Sequence, residues 1–175
     1  RNFAAGWTRY DGGVYVASEP AGAARWYPVN DHPRDKAAYT FRITVPEPYV
    51  VAANGLLQAT VDWGERVTYV WQTDYPLASY LATVNISDFV VETADGPGGL
   101  PLRNYFPARL AETAPPVFAR TDEMIAYFSD LFGPYPFEAY GVVMADTALF
   151  FALETQTLTL FGAEVVPGAL PPAMA

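Results

Sequence analysis

The chain of 175 residues contains no cysteine, a single histidine and few basic residues. The missing cysteines exclude disulfides, thiolate catalysis and thiolate metal sites. One histidine, His32, cannot supply both histidine ligands of a His-Glu-x-x-His zinc site. Ten basic residues against 19 acidic ones give a net charge of −9, which argues against nucleic-acid binding. No apolar run approaches the length that is needed to span a membrane.

Apolar residues make up 51% of the chain and aromatic residues 15%, so we expect an ordered core. Alternating apolar and polar residues predict strands in the first half of the chain, at 37–46, 56–63, 66–76 and 79–93. Asn54-Gly55 and Gly64-Glu65 indicate hairpin turns before the second and third of these strands. Short strands separated by turns are typical of an antiparallel sandwich or a curved sheet.

The pattern changes after a glycine- and proline-rich segment, residues 94–107, which we expect to be a loop. Apolar residues at helical spacing then predict one α-helix near 121–132, with Thr121 as its N-cap and Gly133 at its end. We expect the apolar stripe of this helix to belong to the core. Two further strands are predicted, at 139–146 and 155–161.

Two glutamates stand at the ends of predicted strands. Glu19 ends a strand directly before Pro20, and Glu154 lies among apolar residues at the start of the strand in "FALETQTLTLF" (151–161). An unpaired carboxylate is costly to bury. Two carboxylates that face one cleft could bind an ammonium group, because each supplies acceptors and opposite charge. The alternative is that both are ordinary solvated glutamates.

Four segments in the same order resemble the zinc aminopeptidases typified by aminopeptidase N and leukotriene hydrolase. The segment "ALETQTLTLF" (152–161) is similar to their Gly-Ala-Met-Glu-Asn exopeptidase motif, in an Ala-Leu-Glu-Thr variant. The other three are "SEPAGAARWYPVNDHPRDKAAYTFRITVP" (18–46), "YLATVNISDF" (80–89) and "MIAYFSDLFGPYPFEAYGVVMAD" (124–146). The resemblance implies a mainly β fold. An antiparallel β-sandwich or saddle-shaped N-terminal domain at 1–112 would precede the opening α/β part of a thermolysin-like catalytic domain at 113–175.

The resemblance also implies an aminopeptidase function, with zinc in the intact enzyme and the N-terminus of a peptide as its partner. In the family, the motif's glutamate binds the free α-amine of the substrate, and this position is Glu154. The motif residues around it correspond to Ala152, Leu153 and Thr155. A second acidic residue in the β domain assists, and its position matches Glu19. A terminal ammonium held in this way would explain why such enzymes cut only at chain ends.

The chain departs from the family pattern at the motif and at the metal site. The family's Gly, Met and Asn are Phe151, Leu153 and Thr155 here, and a Gln two residues before Glu19 is Ala17. The zinc ligands should follow the motif, but the chain ends first. We therefore expect a fragment that carries the amine anchor, binds no zinc and is inactive alone. The alternative is a non-catalytic, β-rich interaction module related to this family.

Overall fold

The structure is a computed structural model in which residues 6–170 are described. These residues form twelve strands and one α-helix. The strands, in chain order, are β1 (Gly6–Tyr10), β2 (Gly13–Ala17), β3 (Ala37–Pro46), β4 (Val50–Ala53), β5 (Leu56–Asp62), β6 (Arg66–Leu77), β7 (Val84–Ser87), β8 (Phe89–Asp95), β9 (Pro101–Pro107), β10 (Tyr140–Ala145), β11 (Leu153–Thr155) and β12 (Leu158–Gly162). The helix α1 (Thr121–Phe132) lies between β9 and β10. The mainly β fold is confirmed.

The first half of the chain forms two antiparallel sheets. One has four strands in the order β1-β2-β7-β4, and the other has three in the order β3-β6-β5. Asn54 and Gly55 do not form the predicted hairpin turn, since β4 pairs with β7 while β5 pairs with β6. These two residues instead carry the chain from one sheet into the other. Gly64 and Glu65 do join neighbouring antiparallel strands, β5 and β6.

A mixed five-stranded sheet has the order β11-β12-β10-β9-β8. Its three inner strands are parallel, and both edge strands run antiparallel to their neighbours. The helix α1 belongs to the crossover from β9 to β10, as parallel neighbours require. The strands β8 and β9 precede residue 112, whereas the other three follow it. The sheet therefore crosses the predicted domain boundary, which stays a prediction.

The central strand of the five-stranded sheet, β10, is buried on both faces. Along β10, Val143 and Ala145 pack into a core shared with the strands of the first half, whereas Val142 and Met144 pack into a second cluster. Alternate side chains of β10 thus pack into two different clusters, one on each face of the sheet. This pattern is typical of an inner strand whose two faces are both buried. The first cluster also contains Leu153 of β11, so that it holds the predicted motif against the rest of the fold.

Two predictions about the second half of the chain are wrong. Residues 94–107 are not a single loop, because β9 begins at Pro101 and ends at Pro107. Proline is tolerated at the ends of a strand, where its missing N–H is not needed for pairing. The apolar stripe of α1 is not core in the described structure, since none of the helix residues is buried. Phe128 is 52% and Phe132 is 81% exposed.

The termini of α1 follow the sequence only in part. Gly133 ends the helix with φ of 96°, a conformation that glycine adopts without steric cost. Thr121 begins the helix but does not cap it, because its hydroxyl donates to the carbonyl oxygen of Phe118 at 2.8 Å. Within residues 6–170, no helix has the length and apolar character of a transmembrane segment.

Candidate functional site

Glu154 lies in the middle of β11, an edge strand of the five-stranded sheet. Among residues 6–170 the strand pairs only with β12, with Glu154 opposite Thr159. Leu153 and Thr155 on either side are 5% exposed, whereas Glu154 is exposed. The period-two alternation of a strand therefore turns the carboxylate away from the core and leaves it accessible to a ligand.

The predicted strand 155–161 is interrupted by a turn at Gln156 and Thr157. Thr157 has φ of 71°, which is uncommon for a β-branched residue and places it in the left-handed region. The turn is buried, and the Thr155 hydroxyl donates to the carbonyl oxygen of Leu158 across it. The motif is therefore one arm of a tight hairpin rather than the start of a long strand.

Asn54 fastens this turn to the link between the first two sheets. Its side chain is fully buried, and its amide donates to the carbonyl oxygen of Gln156 at 2.7 Å. The side-chain oxygen Oδ1 of Asn54 accepts a hydrogen bond from the backbone N–H of Thr83 at 2.7 Å. The Thr83 hydroxyl in turn donates to the carbonyl oxygen of Val16 at 2.8 Å. Hydrogen bonds thus connect β2, which leads to Glu19, with the turn that follows Glu154.

A buried cation supports the same turn from the side. The Arg103 guanidinium donates to the carbonyl oxygen of Ala53 at 3.3 Å and to the hydroxyl of Thr157 at 3.4 Å. Its central carbon lies 4.7 Å from the ring centroid of Trp71, in cation–π geometry. Burial lowers the pKa of Arg103. The backbone N–H of Gly55 donates to the same Thr157 hydroxyl at 2.9 Å.

Sequence reasoning missed Asn54, Arg103 and Thr157 as supports of the motif. Asn54 stands in an Asn-Gly pair, which is also a hairpin signal, and Arg103 stands in a segment that was expected to be a loop. The signal that could have separated them from surface residues is their position beside buried strands. Their hydrogen-bond partners are 50 to 102 positions away in the chain, so a local sequence pattern cannot predict them.

Glu19 lies at the start of a loop that polar contacts hold in place. It follows the fully buried Ser18, whose hydroxyl accepts from the indole N–H of Trp26 at 3.2 Å. Farther along the same loop, the Asp31 carboxylate accepts from the hydroxyl of Ser79 at 3.0 Å. Glu19 itself is exposed. The loop that presents its carboxylate is therefore anchored at both ends.

Strand β2, which leads to Glu19, and strand β11, which carries Glu154, contribute to one hydrophobic core. Ala17 of β2 and Leu153 of β11 belong to one buried cluster. The ion pairs found among residues 6–170 are Arg109–Asp146 and Arg120–Glu123, and neither involves Glu19 or Glu154. Both carboxylates are exposed and available to a ligand. Their shared cleft stays a prediction.

The described residues do not fit a zinc site. Within residues 6–170, no three side chains of histidine, cysteine, aspartate or glutamate are grouped as metal ligands. His32 is exposed, and its Nδ1 accepts a hydrogen bond from the backbone N–H of Arg34 at 3.2 Å. A catalytic zinc needs three protein ligands, and residues 6–170 do not bring three such ligands together.

Known proteins match the chain in sequence and in fold. Residues 11–81 match the Peptidase M1 N-terminal domain. Glutamyl aminopeptidase from Bitis rhinoceros is 28% identical over 122 residues, and the enzyme from Sus scrofa is 29% identical over 119. These matches cover 67% and 65% of this chain but only 13% and 12% of the relatives.

A solved variant of an M1 zinc metallopeptidase from Deinococcus radiodurans superposes with a TM-score of 0.84 and 33% identity. This chain is a relative of the M1 zinc metallopeptidases. The superposition covers 94% of the chain and 39% of the Deinococcus protein, so that the M1 relative is much longer. Aminopeptidase A from Legionella pneumophila shares the fold, with a TM-score of 0.80 at 23% identity.

Proposed function

We propose that this M1 relative supplies the amine-binding part of a zinc-dependent aminopeptidase. Glu154 would bind the terminal ammonium of a peptide, and Glu19 would be its second acceptor. Ala152, Leu153 and Thr155 would shape the site around the motif. The observation that carries the proposal is the exposed carboxylate of Glu154 on the edge strand β11.

The edge position of β11 supports binding of an extended peptide. One side of the strand pairs with β12, and within residues 6–170 its other side is not paired with a further strand. An extended peptide can hydrogen-bond to such an edge through its own backbone. One solved structure of the Deinococcus protein is described as bound to a Tyr-Ser-Ala substrate, at 34% identity to this chain. A peptide along β11 would bring its terminal amine towards Glu154.

The buried supports give the site its rigidity. Asn54 and Arg103 hold the turn at Thr157, which directly follows the motif. A binding group is most effective when its position is fixed before the ligand arrives, because less conformational freedom is then lost. We infer that these contacts keep Glu154 in a constant position relative to β2 and Glu19.

Zinc would be supplied by another part of the enzyme. The matched relatives are zinc metallopeptidases, whereas the described residues of this chain do not group as metal ligands. In such an enzyme, zinc polarises the scissile carbonyl and activates water. The part of this chain is to orient the peptide through its ammonium group. A peptide with a blocked amine would lose this contact.

A calorimetric titration tests the proposal with the tripeptide Tyr-Ser-Ala, in free and N-acetylated forms. A charge-assisted hydrogen bond contributes about 1.5–3 kcal/mol, so acetylation should weaken binding roughly 10- to 100-fold. Glu154→Gln should weaken binding of the free peptide alone. Glu65→Gln, a change at another exposed glutamate, is the matched control and should have no effect. Equal binding of both peptides by the unchanged chain would overturn the proposal.

A second candidate is an interaction module without catalytic function. The exposed apolar residues of α1 favour it, since large apolar patches mark contact surfaces. The same face would be covered by further polypeptide in the longer enzyme. The two candidates differ in their ligand, because only the aminopeptidase requires a free amine. Binding that is insensitive to acetylation and to Glu154→Gln would favour the module.

A further inference from the structure

A groove of about 700 Å³ lies between the three-stranded sheet and the five-stranded sheet. One of its walls belongs to β5 and the other to β8. Leu57 on the first wall is 44% exposed, and Val91 on the second is 41% exposed. We call this feature the inter-sheet groove. Its volume is in the range of ligand-binding pockets.

Three buried side chains form the floor of the inter-sheet groove. The rings of Trp71 and Tyr105 meet edge to face, with their centroids 6.4 Å apart, and the guanidinium of Arg103 lies over the Trp71 ring. Strand pairing sets these residues between the walls, because Leu57 is opposite Trp71 and Val91 is opposite Tyr105. Trp71 is 1% and Arg103 is 7% exposed. The floor therefore presents one positive charge between apolar walls.

Within residues 6–170, Arg103 contacts no negatively charged partner. The two guanidinium hydrogen bonds, to Ala53 and Thr157, both start at Nη2 and end on neutral oxygens. Its Nε finds no acceptor in the same range, and the ion pairs there do not include it. Glu138 attracts the guanidinium from beyond ion-pair distance. A buried charge without a paired opposite charge is costly, so this cation favours an anionic ligand.

Trp71 carries a second unused donor in the same groove. Its indole N–H has no acceptor among the described residues. The N–H groups of Trp71 and of Arg103 Nε are both shielded from solvent, so a ligand has to move side chains of the walls to reach them. Buried donors without acceptors cost free energy. One carboxylate can accept from several donors while it neutralises the cation, so the chemistry of the floor matches a carboxylate.

Both walls of the groove are edge strands. Within residues 6–170, β5 pairs only with β6, and β8 pairs only with β9. The outer backbone N–H and C=O groups of such strands can bind an extended peptide by strand addition. The exposed apolar side chains of Leu57 and Val91 can enclose an apolar side chain of that peptide. A peptide therefore fits this groove better than a carboxylate that lacks a peptide backbone.

We propose that the inter-sheet groove binds the C-terminus of a peptide, with the terminal carboxylate on Arg103 and a large apolar last side chain between Leu57 and Val91. The terminal carboxylate and the last side chain are attached to the same carbon, so one residue can make both contacts. Asp95, an exposed acidic residue of this groove, repels the carboxylate. Glu154 and its strand do not line the groove, so the inference does not depend on the proposed amine site.

Calorimetric titration with N-acetyl-Ala-Ala-Leu and with its C-terminal amide measures the contribution of the carboxylate. Acetylation removes the ammonium group, so the amine site takes no part in binding. A charge-assisted contact should give the unchanged chain a preference of roughly tenfold or more for the acid form over the amide.

Val91→Asp adds a negative charge to one wall and should reduce this preference to about threefold or less. It leaves the support of Thr157 by Arg103 in place. Val90→Asp is the matched control and should keep the preference. Val90 is 44% exposed, but the alternation of side chains along β8 directs it to the opposite face. Asp95→Asn removes a repulsive charge and should strengthen binding of the acid form roughly two- to fivefold.

Octanoate separates a peptide from a simple apolar carboxylate. It offers a carboxylate and an apolar chain but no backbone groups for the strand edges. It should therefore bind at least about tenfold more weakly than N-acetyl-Ala-Ala-Leu. Equal affinities would show that the groove is not a peptide site and would overturn the inference.

The remaining outcomes are equally decisive. Equal binding of the acid and amide forms overturns the inference, and so does a Val91→Asp chain that keeps the full preference. Absence of saturable binding of N-acetyl-Ala-Ala-Leu does the same. The amine site is tested separately: Glu154→Gln should leave the affinity for N-acetyl-Ala-Ala-Leu unchanged, and the Val91→Asp chain should still bind free Tyr-Ser-Ala more tightly than its acetylated form.

Discussion

The side-chain amide of Asn54 donates a hydrogen bond to the main-chain carbonyl oxygen of Gln156 at 2.7 Å, across 102 positions of the chain. Gln156 is two residues beyond Glu154, and Asn54 joins two sheets of the first half. The bond therefore ties the motif hairpin to the unit that presents Glu19. Rigidity of the candidate site and stability of the fold depend on the same buried contact.

Removing the Asn54 side chain should destabilise the fold strongly. Asn54→Ala leaves the backbone N–H of Thr83 and the carbonyl oxygen of Gln156 buried without their partner. Unsatisfied buried groups of this kind lead us to expect a loss of about 2–4 kcal/mol in the free energy of unfolding. Urea denaturation measures it. The exposed Asn30 provides the control, and Asn30→Ala should change stability by less than about 0.5 kcal/mol.

Gly55 and Gly64 provide a matched test of backbone crowding. Both have positive φ, at 81° and 88°, but an added Cβ at Gly55 would lie 1.9 Å from the carbonyl oxygen of Gln72. At Gly64 it would meet nothing within 4 Å. Gly64→Ala should lose about 1–2 kcal/mol of stability from its backbone alone. Gly55→Ala should lose at least about 2 kcal/mol more, since the backbone of β6 has to move.

Thermal and urea unfolding of these two variants decide the point. Similar losses at both glycines would show that the link between the sheets can shift to admit a methyl group. The position of the motif turn would then be less constrained than the described contacts indicate, because Gly55 also donates to Thr157.

Stability should fall at alkaline pH because a buried tyrosine has to ionise on unfolding. Tyr105 is 4% exposed, and burial raises its pKa above 10. Below pH 10 the phenol is protonated in both the folded and the unfolded state, and its contribution to the free energy of unfolding is at its maximum. As the pH rises above 10, the unfolded chain releases this proton first. The free energy of unfolding therefore falls by up to about 1.4 kcal/mol per pH unit for this group.

The variant Tyr105→Phe should flatten the pH dependence of the free energy of unfolding between pH 10 and the higher pKa of the folded state. Burial also raises the pKa values of other tyrosines, which keep part of the slope: Tyr10, Tyr27 and Tyr135. Tyr127→Phe is the control, because that ring is 62% exposed. An unchanged slope for Tyr105→Phe would show that its burial does not matter to alkaline stability.

Local patterns predicted the elements well and their partners poorly. The helix at 121–132 and the strand at 37–46 have the predicted bounds, because each repeats its period over at least ten residues. The turn within 155–161 escaped prediction, since Thr157 is a β-branched residue in a left-handed conformation. Hydrogen bonds from Gly55 and Arg103 to its hydroxyl support that conformation. Both are distant in the chain, so no window of sequence contains the cause.

The motif at 152–155 was found through family resemblance and not through its chemistry. A single exposed glutamate in an edge strand has no distinctive pattern by itself. The sequence did not predict the hydrogen bonds that support the motif turn. In the sequence, Asn54 resembles a turn residue and Arg103 resembles a loop residue. Burial, which makes them structural, is a property of the assembled sheets.

The apolar face of α1 should respond to substitution like a surface. The double variant Phe128→Ser and Phe132→Ser removes two exposed rings, and we expect less than about 1 kcal/mol change in unfolding free energy. Binding of a hydrophobic dye such as ANS should decrease. Leu158→Ala, at a fully buried core position, should lose about 2–5 kcal/mol. A comparable loss in the double variant would mean that α1 is packed.

A double-mutant cycle tests whether Glu19 and Glu154 act on one ammonium group. Glu19→Gln, Glu154→Gln and the combined variant keep side-chain size and remove charge. Groups that contact one ligand atom are coupled, so the combined loss of affinity for Tyr-Ser-Ala should differ from the sum by at least about 0.5 kcal/mol. Acetylated Tyr-Ser-Ala, which carries no ammonium, should show no coupling. Calorimetry on the four proteins gives the affinities.

Glu65→Gln combined with Glu154→Gln is the reference cycle, because Glu65 lies in the turn between β5 and β6. Distant, independent sites add within about 0.3–0.5 kcal/mol, and this pair should do so. Additive losses at Glu19 and Glu154 would place their carboxylates at separate surfaces. The anchor would then consist of Glu154 alone, and the loop held by Ser18 and Asp31 would have a different role.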